Sequence, residues 1–86
     1  MAGNKYIIRI AILSWTRFKY RLSESKKDED NIEDNIKDIE NYLSTQEVED
    51  LNIIYKSPDY YIIRYLFQGN TEILQYDTRE VEGILY

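Results

Sequence analysis

The 86-residue sequence contains no cysteine and no histidine. The first absence removes disulfides, thiolate metal sites, iron–sulfur clusters and thiol nucleophiles. The second removes the commonest general base, the commonest transition-metal ligand and the usual switch near neutral pH. One proline is present, and the three glycines (Gly3, Gly69, Gly83) are too scattered to build a phosphate-cradling loop. Long hydrophobic runs are also missing. The longest aliphatic stretch, Ile10-Ala11-Ile12-Leu13, falls far short of the roughly 20 residues of a membrane span. Arg9 interrupts the apolar stretch after Met1 and no small-residue cleavage site follows it, so no secretory signal is expected. The expectation is an intracellular, cytoplasmic protein without membrane, metal or cofactor.

Enzymatic chemistry has little to stand on. Glycosidase-type carboxylate pairs need one acid in an apolar pocket, whereas the acids here cluster on a polar segment and near turns. The run Asp28-Glu29-Asp30 fails as a calcium-binding EF-hand loop, because Ile32 and Glu33 occupy the positions that need an oxygen ligand and a glycine. A non-enzyme is expected.

What the chain does contain is apolar mass, tyrosine and segregated charge. Hydrophobic residues make up 43%, enough for one core and not for two, so residues 1–86 are expected to form a single domain. Nine of the twelve aromatic residues are tyrosine. Net charge is −5, but the charge is uneven along the chain. Residues 1–27 carry seven basic side chains against Glu24, and residues 28–50 carry ten acidic side chains against Lys37. A basic end and an acidic middle can pair with each other or face different partners.

From Tyr6 to Leu22 the pattern reads with period two, rich in β-branched and aromatic residues, and predicts a long, bent or bulged first strand, with a hairpin as the alternative. Ile32, Ile36, Ile39 and Leu43 then recur at helical spacing, predicting a helix over 28–43. Ser23, Ser25 and Asp28 are its candidate N-caps. Ser44-Thr45-Gln46-Glu47 has capping-box form, which predicts a short helical turn through Asp50. Leu51–Lys56, Tyr60–Phe67 and Thr71–Tyr76 read as strands, broken by Ser57-Pro58-Asp59 and by Gln68-Gly69-Asn70. Residues 77–86 read as a loose tail or a short edge element. The expected fold is α+β in the order β-α-β-β-β, an antiparallel sheet of about four strands with one main helix on one face.

Function follows from the surfaces such a fold leaves open. Tyr60 and Tyr61 must point to opposite faces, and a single helix covers only one. The uncovered face, bearing tyrosines and Arg64, suits a protein contact, because tyrosine and arginine concentrate at binding hot spots. Tyr61, Tyr65 and Tyr76 are the candidate anchors. Asp30, Glu33, Asp34 and Asp38 form a candidate acidic row on the helix, able to steer a partner or to imitate nucleic-acid phosphates. The expected function is therefore a non-enzymatic protein-binding or regulatory module, of the kind of a small virus- or phage-type inhibitor, with a larger protein or a second copy of the chain as partner. The alternative is a single-stranded nucleic-acid binder. Trp15 would supply the stacking ring, and Arg17, Lys19 and Arg21 the phosphate contacts.

Overall fold

The computed structural model describes residues 5–24 and 32–82, in the order α1 (Lys5–Glu24), α2 (Ile32–Thr45), β1 (Val48–Lys56), β2 (Tyr60–Phe67), β3 (Asn70–Asp77) and α3 (Thr78–Glu82). The fold is α+β, as expected. Its order, however, is α-α-β-β-β-α, and the antiparallel sheet has three strands, β1-β2-β3, with β2 central.

The expected first strand is a helix. Ile8, Ile12, Trp15 and Thr16 are its buried residues, spaced i, i+4, i+7 and i+8 on one stripe. Alternation alone would bury Ile10 with Ile8 and Ile12, yet Ile10 is 47% exposed. Ser23, a candidate cap for the next helix, instead lies in the last turn of α1, its hydroxyl donating to the Tyr20 carbonyl. The other candidate caps, Ser25 and Asp28, lie outside the described residues.

In α2 the expected stripe is realised: Ile32, Ile36 and Leu43 are buried and Ile39 is half-buried. Amides of Gln46 and Glu47 close its C-terminal turn on the carbonyls of Leu43 and Ser44. Glu47 then takes a left-handed φ of 67° and Val48 opens β1. The capping-box pattern at Ser44–Glu47 thus marks a helix end, and the chain through Asp50 is strand.

β2 spans the expected residues. Its hairpin with β3 closes through Gln68 and Gly69, whose φ values of 52° and 83° are the paired positive angles of a type I′ turn. β3 keeps unbroken register with β2 from Phe67↔Asn70 to Tyr60↔Asp77. β1 does not: one extra residue lies between Glu49 and Asn52, and another, Ile54, between Ile53 and Tyr55. Of residues 77–86, expected as a loose tail or a short edge element, Asp77 ends β3 and Thr78–Glu82 form α3, burying Thr78 and Val81, while 83–86 lie outside the described residues.

One face of the sheet carries Val48, Leu51 and Ile53 from β1, Tyr61, Ile63, Tyr65 and Phe67 from β2, and Leu74 and Tyr76 from β3. These pack with Ile8, Ile12 and Trp15 of α1 and with Ile32, Ile36 and Leu43 of α2 into one core. Every described helix is thus committed to that core. None of the buried polar side-chain atoms among the described residues lacks a hydrogen-bond partner.

Candidate functional site

The opposite face of the sheet is built by alternation from the same strands. β2 contributes Tyr60, Ile62, Arg64 and Leu66, and β3 contributes Thr71, Ile73, Gln75 and Asp77. From β1 come Glu49, Asn52 and Tyr55, with the extra residue Ile54 beside them. The second bulge decides what β1 shows. Without it, Tyr55 would follow Leu51 and Ile53 to the core; with it, Tyr55 stands opposite Ile62 on the open side. Ile54, Tyr55 and Ile73 are about half exposed, at 50%, 48% and 53%. The rings of Tyr55 and Tyr60 meet across the turn, centroids 5.4 Å apart and tilted by 36°. Arg64 lies mid-strand in the row Asn52–Arg64–Ile73. Large apolar side chains at half exposure thus group on this face, as a second set, Tyr6, Ile7 and Ile10, does on α1; the sheet set surrounds Arg64.

The candidate anchors Tyr61, Tyr65 and Tyr76 are not on this face. They point to the core and are 1%, 4% and 1% exposed, so the open face draws its rings from Tyr55 and Tyr60 instead. The reason is register: Tyr61 and Tyr65 share a parity on β2, and Tyr61 pairs with Tyr76 across the hairpin. Their hydroxyls are spent internally. Tyr61 donates to Glu82 Oε2 at 3.1 Å, and Tyr76 donates to the Arg9 carbonyl at 2.5 Å, beneath the Arg9 guanidinium. Burial pushes both phenols well above their ordinary pKa. The Glu82 carboxylate adds to the rise at Tyr61, and the Arg9 cation opposes it at Tyr76. Tyr65 is raised as well, by burial and then by Glu72.

Glu33, Asp34 and Asp38 are exposed on α2, with Asp34 and Asp38 one turn apart on the same side. Asp30 lies outside the described residues. α2 packs on α1 and beside β1, on the covered side of the sheet, so its acids and the open face are separate surfaces.

The alternative set fares differently. Trp15 is 2% exposed and donates Nε1–H to Glu40 Oε2 at 2.9 Å, with the Lys19 ammonium 5.4 Å from its ring centre. Arg17 donates Nε–H to the Glu80 carbonyl at 2.6 Å, joining α1 to α3. Arg21 is exposed in the last turn of α1. The ring expected to stack on bases holds two helices together, and of the three cations Lys19 alone lies over it.

Ile54, Tyr55, Tyr60, Ile62 and Ile73 were not among the candidate site residues. Parity along Tyr60–Phe67 places Tyr60 and Ile62 with Arg64, and a two-residue turn at Gln68-Gly69 places Ile73 opposite Arg64. Ile54 and Tyr55 depend on a bulge that no sequence pattern marks. Among the described residues no three Asp or Glu side chains gather as a metal site, and no helix is long and apolar enough to cross a membrane. Scans against protein-family models, curated proteins and solved structures found no match to the chain.

Proposed function

We propose that the chain is a non-enzymatic protein-binding module whose contact surface is the open face of the sheet. The observation that carries this reading is the half-exposure of Ile54, Tyr55 and Ile73 around a mid-strand arginine, on a sheet whose other face has taken every described helix. Burying such side chains gains about 25 cal/mol for each Å² of apolar surface removed from water. Tyrosine adds oriented contacts at little conformational cost, and arginine, like tyrosine, is enriched at binding hot spots. The acidic residues Glu33, Asp34 and Asp38 on α2 contribute long-range steering toward a basic partner surface, as an inhibitor that imitates a row of phosphates would.

Affinity capture from a host lysate tests this, with the tagged chain as bait and nuclease added or withheld. A protein that stays bound through nuclease, and is lost when the bait carries Ile54→Ser and Ile73→Ser, is the expected result. Recovery that collapses with nuclease would return the basic residues of α1 to the front.

A further inference from the structure

Among the described residues Arg64 is the one basic side chain on the open face, and it stands at its middle: Ile62 and Leu66 flank it along β2, Ile73 lies across one ladder and Asn52 across the other. It has no ion pair, hydrogen bond or ring contact among the described residues. The single ion pair there joins Lys5 to Glu72 on the covered side. Asn52 turns its amide to the Asp50 carbonyl at 3.1 Å and leaves the guanidinium alone. Glu49, diagonal to Arg64 beside Leu66, is exposed and makes no ion pair with it. Arg9, Lys19 and Lys56 lie over aromatic rings and Arg17 reaches a carbonyl, while Arg21, Lys37 and Arg79 are exposed without such a partner, as Arg64 is, but lie on the helices and not on the open sheet face. A planar fork of donors set in an apolar surround is complementary to a carboxylate, which it can hold through two parallel hydrogen bonds.

Size bears on the occupant. Three strands about 4.8 Å apart, eight or nine residues long at about 3.4 Å per residue, span a flat footprint of roughly 14 by 27 Å, or about 400 Å². A stable dimer buries about 800 Å² on each partner. A second copy stacked with its two-fold axis along β2 would also set Arg64 against Arg64. A short segment of another protein fits the footprint better.

We infer that the open face takes a short segment of a partner protein that presents an aspartate or glutamate between apolar side chains, the carboxylate seated on Arg64 and the apolar groups on Ile54, Tyr55, Ile62 and Ile73. This rests on the protein-binding reading and adds to it the chemistry of the partner.

Selection of random dodecamer peptides from a display library on the folded, full-length chain tests it, with Arg64→Glu, Arg64→Gln and the double variant Ile54→Ser/Ile73→Ser as parallel baits, each checked for an unchanged melting profile. Peptides selected by the unmodified chain are expected to share an acidic residue flanked by apolar ones. They should bind Arg64→Gln at least about tenfold more weakly and lose comparable affinity when their own acid is changed to its amide. Arg64→Glu should turn the selection toward Lys and Arg. Peptides that need Ile54 and Ile73, but show no acidic residue or ignore Arg64→Glu, would overturn this inference and leave the protein-binding reading standing. If no peptide depends on Ile54 and Ile73, both fall. Sedimentation of the bait decides the remaining alternative: a monomer is expected, and a dimer dispersed by Arg64→Glu would make a second copy the occupant and overturn the inference.

Discussion

Tyr61 and Tyr76 are neighbours across β2 and β3, and their side chains carry much of the meeting of sheet and helices. Each keeps its ring in the core and brings its hydroxyl to a partner at the margin, Glu82 or the Arg9 carbonyl. Burial holds both phenols neutral far above the ordinary value of 10.0, whereas in the unfolded chain they ionise near about pH 10. The folded state therefore binds protons that the unfolded state has lost. The stability these tyrosines contribute is fully present below about pH 10 and is lost as pH rises beyond it. Urea denaturation between about pH 8 and 11 should show a steady midpoint at the lower end and a falling one above about pH 10. The Tyr76→Phe variant should fall less steeply; equal slopes would mean that Tyr76 is not held neutral in the folded chain.

Among the elements, α1 is where the sequence misleads. Residues 5–24 are apolar at so many successive positions that alternation and helical spacing both find matches, and Ile, Thr, Trp and Tyr favour the strand. Length was the better guide. Strands rarely exceed about ten residues, and the segment has no Gly or Pro inside it, as a helix requires. β2, the Gln68-Gly69 hairpin and the stripe of α2 were legible, because each rests on one periodicity or one turn chemistry. The open face is legible in part: parity gives Tyr60, Ile62 and Arg64, while the bulge that presents Tyr55 carries no mark in the sequence. The two readings of α1 differ in a measurable way. Ile12→Val should cost about 0.5–1.5 kcal/mol, since Ile12 is fully buried, while Ile10→Val should fall within about 0.5 kcal/mol of zero. Equal costs in chemical denaturation would restore a strand-like alternation.

At the scale of the whole molecule, the charge segregation seen along the chain resolves into separate roles. Cations of α1, though mostly exposed, are largely engaged within the chain, by the Gln75 and Glu80 carbonyls, by Glu72 and by the faces of Trp15 and Tyr76. The acids of α2 stay exposed at Glu33, Asp34 and Asp38. Changing Asp34 and Asp38 to Lys should slow association with a captured partner several-fold and reverse its salt dependence, with little change in dissociation rate, in a surface-binding kinetic assay. Unchanged association would remove the acidic row from the contact and leave the sheet face to act alone.

Whether the open sheet face is where a partner sits is tested most directly by photo-crosslinking in a nuclease-treated host lysate. Benzoylphenylalanine replaces Ile73 on the open face in one preparation and Asn41 on α2 in another. A discrete protein adduct from position 73, absent when the same chain also carries Arg64→Glu, is the expected result. An adduct from position 41 with none from position 73 would contradict the assignment of the sheet face as the binding surface.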